Sequence, residues 1–196
     1  MDKKDYWLGL LAGLLIGLFF LPFLGITKPA LYEKYYIFVV PFFLIGVPLG
    51  LWVAKFISWK ISVVWQVGKF GVIGVLNTLI DWGVLSLLLA SLGGSLYAVY
   101  KGISFIVANI NSYYWNKYWT FSGGVNQKTR GEFIQFFIVS AVGFFINVGI
   151  ATYVFKSVSP VGGLNFNQWG ILGAAIGSVA GLAWNFLGYK FFVFKK

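Results

Sequence analysis

Apolar residues run along the chain in six long blocks, separated by short stretches where lysine, glycine, proline and asparagine gather. Each block is close to the roughly 20 residues a helix needs to cross a hydrocarbon core. The blocks predict helices over 6–26, 36–55, 68–92, 96–117, 132–155 and 169–190. Polar and apolar positions do not alternate, which argues against a transmembrane β-barrel. The pattern therefore predicts an all-α, polytopic membrane protein with six transmembrane helices. Pro41 and Pro48 fall inside the second block and predict bends there, which neighbouring helices can tolerate in lipid. The first block, Tyr6 to Ile26, is longer than the apolar core of a signal peptide and lacks a small-x-small cleavage site, so it reads as a retained span.

Composition agrees with the pattern. Hydrophobic residues make up 59% of the chain and charged residues 10%, against about 25% charged in a soluble domain. Such a chain cannot cover a water-facing surface. The absence of cysteine removes disulfides, thiolate metal sites and a cysteine nucleophile. The absence of histidine removes the commonest general base and metal ligand. Of five acidic residues, Asp2, Asp5, Glu33 and Glu132 lie outside the apolar blocks. No phosphate loop, zinc spacing or nucleophile motif is present. The expectation is a protein that is not an enzyme and carries no cofactor.

The net charge of +10 comes from basic residues placed singly at the ends of blocks. That placement points to an anionic lipid partner rather than to nucleic acid. Counted by alternate sides, eleven lysines and arginines fall with the two termini and four fall opposite. The positive-inside rule then places the N- and C-termini in the cytoplasm and the protein in the cytoplasmic membrane. The polar, basic loop 122–132 would face a cytoplasmic partner, and the turn-rich loop 159–170 would lie outside.

Glycine recurs every fourth residue at Gly9, Gly13 and Gly17, and again at Gly173, Gly177 and Gly181. Such stripes let helix backbones approach closely in lipid. The last four blocks read as a parallel repeat of two helix pairs. FGVIGVLNTLIDWG (70–83) matches FFIVSAVGFFINVG (136–149), setting Asp81 opposite Asn147. NKYWTF (116–121) matches YKFFVF (189–194), setting Lys117 opposite Lys190.

Asp81 is the acidic residue inside a block. It lies roughly 16 Å from the start of its helix, near mid-depth. A charge there is costly unless it meets a cavity or a partner, so Asp81 has to be neutralised, hydrated or hydrogen-bonded. Asn77 and Thr78 are within one turn and offer a local bond. On the following helix Asn109, Ser112 and Asn116 are spaced to share one face. Antiparallel packing would bring Asn109 to the depth of Asn77. These amides can tie helices together or line a groove for a sugar or phosphate, and both readings stay open.

The stretch NSYYWNKYWTF (111–121) holds six aromatic rings, two asparagines and a lysine. Rings prefer the membrane boundary, and Lys117 could reach its ammonium to the headgroups from there. An interfacial anchor explains most of this. The amide spacing and the echo YKFFVFKK at the C-terminus fit a second reading. Rings would take an isoprenoid tail, amides sugar hydroxyls, and Lys117, Lys190 and Lys195 a phosphate.

At these residues the chain resembles the GtrA-like family, and also the membrane domain of some polyprenyl-phosphate glycosyltransferases. The resemblance rests on KFGVIGVLNTLIDWGV, the closing N-x-Y-x-x-N-K-x-W-T-F and a weaker second copy. It divides the chain into an N-terminal extra helix pair, 1–60, and a four-helix membrane domain, 66–196, made of pairs at 70–121 and 133–196. It implies translocation of a polyprenyl-phosphate-linked monosaccharide, or its presentation to a partner enzyme, in cell-surface glycan assembly. By position it points to Asn77, Asp81, Asn111, Asn116, Lys117, Trp119 and Phe121; Asn109 and Lys190 join them from the reading above. The second copy has Tyr189 in place of Asn116 and Phe192 in place of Trp119. Implied partners are the lipid-linked sugar or a related anionic lipid, and a membrane glycosyltransferase. Oligomers are compatible with the pattern. Two alternatives stand beside this: a non-transporting anchor or accessory subunit of such a glycosyltransferase, and a proton-coupled solute transporter using Asp81.

Overall fold

The computed structural model describes residues 1–92, 96–121, 129–163 and 166–194. Among them all regular structure is helical. Six α-helices follow in order: α1 Lys3–Thr27, α2 Pro29–Ile57, α3 Val63–Leu92, α4 Tyr97–Trp115, α5 Thr129–Ser157 and α6 Phe166–Gly188. A π-helical turn, Asn116–Thr120, extends α4, and another, Tyr189–Val193, extends α6. Among the described residues four helices contain spans long and apolar enough to cross a membrane: Lys3–Gly25, Pro29–Ile57, Val63–Leu88 and Gly131–Val154. The protein is a polytopic membrane protein.

The main departure from the sequence reading lies between the first two helices. The blocks leave residues 27–35 as a connection, but only Lys28 separates α1 from α2, and α2 starts at Pro29. Proline suits this first position because it has no N–H to leave unsatisfied and its φ is already helical. One continuous helix runs through both Pro41 and Pro48. The other departures are the two helix ends, where α-geometry stops at Trp115 and Gly188 and a π-turn takes over.

The chain forms two compact units, Met1–Ser122 and Gly123–Lys196. In the first, α1 and α2 pack as a hairpin through the predicted glycine stripe. A Cβ on Gly13 would strike the Phe43 carbonyl, and one on Gly17 would sit 2.9 Å from the Val40 Cα. Both helices pack on α3, which pairs with α4. Two apolar clusters hold this unit. One joins Ile16, Leu76, Leu79, Ile80 and Ala108; the other joins Ala12, Leu51, Ile73 and Trp119. In the second unit α5 and α6 pack at glycines, Gly177 against the Asn147 carbonyl and Gly181 against that of Gly143.

The burial pattern suits lipid. Phe42, Ile45, Leu49, Trp52 and Phe56 on α2 are exposed, whereas Ser104, Asn109, Ser112, Asn116, Lys117 and Thr120 are buried. Apolar faces turned outward around a polar interior reverse the arrangement of a water-soluble domain.

Candidate functional site

The site forms where α1 and α3 begin and α4 ends. Beyond Trp115 the chain makes a π-turn closed by the Phe121 N–H donating to the Asn116 carbonyl at 2.8 Å. A π-turn re-aims its side chains, and a helix end leaves carbonyls without partners. Two of these carbonyls are met by lysines. Lys69 Nζ donates to the Trp119 carbonyl at 2.8 Å, and Lys4 Nζ to the Tyr118 carbonyl at 3.1 Å. Cations are also favoured there by the negative end of the helix dipole.

Trp119 turns its indole inward and is 1% exposed. Its Nε1–H donates to Asp5 Oδ1 at 2.8 Å, and the same carboxylate oxygen lies 3.6 Å from Lys69 Nζ. Asp5 of α1, Lys69 of α3 and Trp119 of the π-turn thus close a ring of charge-assisted contacts. The Trp65 ring lies 4.9 Å from the Lys69 ammonium and adds a cation–π contact. Asp2 caps the start of α1: its carboxylate accepts the Asp5 N–H at 2.7 Å, which holds its carboxyl below the ordinary range.

Deeper in, the predicted amide face of α4 is present. Asn109 Nδ2 donates to the Phe105 carbonyl at 2.9 Å. Asn116, fully buried, donates to the Ser112 carbonyl at 2.9 Å and to Ser112 Oγ at 3.2 Å. Asn116 Oδ1 and Thr120 Oγ1, one turn apart, are buried without a protein partner, as are Asn77 Oδ1 and Asn111 Nδ2. Buried polar atoms of this kind cost about 1–3 kcal/mol each unless water or a ligand meets them. Leu76 and Ala108, the neighbours of Asn77 and Asn109, share one apolar cluster.

Asp81 bonds across to α4: Ser104 Oγ donates to Asp81 Oδ1 at 2.6 Å. Thr78, expected as a local partner, instead returns its hydroxyl to the Gly74 carbonyl at 3.0 Å. Lys117 is buried, its Nζ donating to the Tyr113 hydroxyl at 3.0 Å and lying over the Tyr113 and Tyr118 rings. The rings of the motif divide accordingly. Tyr114 and Tyr118 are exposed and stacked, while Tyr113, Trp119 and Phe121 are buried. Only the outward pair matches an interfacial belt.

In the second unit, Lys190 is half-buried against the Phe186 and Phe191 rings. Its neighbour Tyr189 stacks on Phe136 with ring centroids 4.2 Å apart. The Ser140 hydroxyl donates to the Phe136 carbonyl at 2.9 Å, which leaves it to accept from the Tyr189 hydroxyl at 2.6 Å. Residues 122–128 of the basic loop, and Lys195, lie outside the described residues.

Sequence reasoning missed Lys4, Asp5, Lys69 and Ser104. Asp5 and Trp119 are 114 residues apart, and nothing local links them. Two signals were nonetheless available. The carbonyls at the end of α4 require donors, and Lys69 opens the helix antiparallel to it. Asp81 lies about as far beyond Lys69 as Ser104 lies before Lys117, which sets the acid and the hydroxyl at one depth.

Helices that turn apolar faces outward and bury amides, hydroxyls and lysines define a multi-pass membrane protein with a polar interior. A family model described as "GtrA/DPMS, transmembrane domain" matches residues 69–194, and the chain belongs to that family. It is also 36% identical over 110 residues to the "Uncharacterized membrane protein YngA" of Bacillus subtilis (strain 168), an alignment covering 51% of this chain and 72% of the relative. No solved structure matches the chain.

Proposed function

We propose that this protein translocates a polyprenyl-phosphate-linked monosaccharide across the cytoplasmic membrane, or presents it to a membrane glycosyltransferase, in cell-surface glycan assembly. In this reading all six α-helices span the membrane, both termini are cytoplasmic, and α3–α4 and α5–α6 are parallel copies of one helix pair. The protein works without a catalytic centre or cofactor of its own.

The observation that carries the reading is the polar face buried in a lipid-facing protein. Asn77, Asn111, Asn116 and Thr120 hold buried polar atoms without protein partners, and Lys117 is buried in the same unit. Sugar hydroxyls and phosphate oxygens supply the donors and acceptors such a face lacks. Family membership supports the lipid-linked class of ligand. The Asp81–Ser104 bond supports a tie between α3 and α4 more directly than it supports proton coupling.

Mass spectrometry of lipid retained after gentle purification tests the ligand class, and a polyprenyl-phospho-sugar is expected. A liposome assay then separates the two roles. Movement of the lipid by the protein alone supports translocation, and co-purification with a glycosyltransferase without movement supports presentation. Purified protein retaining only bulk phospholipid would overturn the reading.

A further inference from the structure

The contact between α1 and the first π-turn has the chemistry of an occupied anion site. Lys69 Nζ and Trp119 Nε1–H converge on one oxygen, Oδ1 of Asp5, at 3.6 Å and 2.8 Å. Lys69 and Trp119 are 5% and 1% exposed, so the cation and the indole N–H are both removed from bulk water. A buried ammonium that loses its carboxylate must find another anion, because an uncompensated charge in such a place is strongly unfavourable. The anion now present sits on the first turn of α1, and its side chain is 13% exposed. It is the most accessible member of the three. Lys4, one residue earlier, holds the same π-turn through the Tyr118 carbonyl. Release of that single turn would therefore uncover the cation, the indole N–H and a second lysine together.

We propose that Asp5 is an internal stopper: its carboxylate occupies a site on Lys69 and Trp119 that takes a phosphoryl group, and a phosphate-bearing headgroup displaces it. A phosphate oxygen can accept from the same two donors, and its further oxygens can accept from Lys4, which a carboxylate on α1 cannot satisfy at the same time. The α1–α2 hairpin lies outside the matched family region, so this stopper is a device added to the family's helix pair. The inference rests on the proposed handling of a phosphate-bearing lipid, but its probe contains neither isoprenoid nor sugar.

The experiment uses full-length protein in phosphatidylcholine nanodiscs, with phosphatidic acid as the lipid probe and inorganic phosphate as the free one. In the unmodified protein, phosphatidic acid should speed backbone hydrogen exchange across residues 3–8 as the first turn of α1 is released. Asp5→Asn, which keeps the shape and loses the charge, should bind the probe about tenfold more tightly, the loss of one competing charge-assisted contact. Asp5→Asn combined with Lys69→Gln should lose that gain. If phosphatidic acid acts and inorganic phosphate does not, the site takes a headgroup; if both act, it takes the phosphoryl group from either source. Exchange at residues 3–8 unchanged by both probes, measured on the unmodified protein and so independent of whether Asp5→Asn folds, would overturn the stopper. So would a gain in Asp5→Asn that survives Lys69→Gln. A failed stopper leaves retention of a polyprenyl lipid untouched, and a displaced stopper without such a lipid would sink only the ligand class proposed above.

Discussion

The two π-turns occupy matching places and are held by opposite means. Each is five residues long, follows an α-helix, and closes with an N–H from a phenylalanine: Phe121 to Asn116, and Phe194 to Tyr189. In the first, the carbonyls and the tryptophan are held by charges brought from α1 and α3, and Asn116 keeps an unpartnered oxygen. In the second, Tyr189 takes the place of Asn116, stacks on Phe136 and bonds to Ser140, all without charge. The same contrast recurs deeper in. Ser104 reaches Asp81 across the first pair, whereas the matching Gly177 lies directly on the Asn147 backbone. One backbone device thus serves two interiors: the first is tied by charges and keeps several unmet polar groups, and the second is closed by ring stacking and close packing around one, Asn185 Oδ1. The proposed binding chemistry belongs to the first.

The largest effect should come from the charged clamp. Lys69→Gln leaves Asp5 without its cation and replaces the ammonium on the Trp119 carbonyl by a shorter, neutral amide, and should lower stability by about 3 kcal/mol, the scale for breaking a largely buried pair. Unfolding in mixed detergent micelles measures this. The matching residue in the second pair is the exposed Gln135, and Gln135→Lys should change little. Equal losses at the two positions would end the contrast.

Packing at mid-depth supplies the next test. A Cβ on Gly177 would meet the Asn147 carbonyl and lie 2.9 Å from the Ala151 Cβ. Gly177→Ala should therefore cost about 2 kcal/mol through overpacking. Ser104→Ala in the first pair fits the same volume and removes the hydroxyl that bonds Asp81, so about 1 kcal/mol is expected. Tyr189→Phe, which keeps the stack on Phe136 and loses the Ser140 bond, should likewise cost about 1 kcal/mol. A Ser104→Ala variant less stable than Gly177→Ala would show that the first pair depends on its polar tie more than the second depends on close packing.

Much of this was legible in sequence because lipid imposes simple rules. Block lengths gave the helices, glycine spacing gave the α1–α2 contact, and three-and-four spacing put Asn109, Ser112 and Asn116 on one buried face. The π-turns were not legible, since no residue type specifies an i→i+5 bond and NKYWTF reads equally well as the end of an α-helix. The burial of Lys117 was hidden for a related reason: a lysine at a helix end normally extends to water, and its partner Tyr113 could as well have faced lipid. The Asp5–Lys69–Trp119 ring was hidden by chain distance. Its members belong to three helices, and one of these lies outside the region that carries the family resemblance.

The smallest effect expected is a response to acid that is greater at the first π-turn. Asp2 caps the helix that carries Lys4 and Asp5, and its carboxyl is held below the ordinary value of about 4 by the Asp5 N–H it accepts. A lowered folded value means that the cap contributes fully above the ordinary carboxylate range, and that its contribution is lost as pH falls through the lowered value. Acid should therefore loosen the first turn of α1 and, through Lys4 and Asp5, the hold on Tyr118 and Trp119. The second π-turn is held by the bond between the Tyr189 and Ser140 hydroxyls, neither of which titrates in acid, and should respond less. Hydrogen exchange at residues 3–8 and at 189–194, followed from pH 6 down to about 3, reads the two turns in one experiment. The part owed to Asp2 is the part that Asp2→Asn removes, because asparagine caps a helix equally well without titrating. Matching acid responses at both turns would mean that the clamp at the first does not depend on how α1 begins.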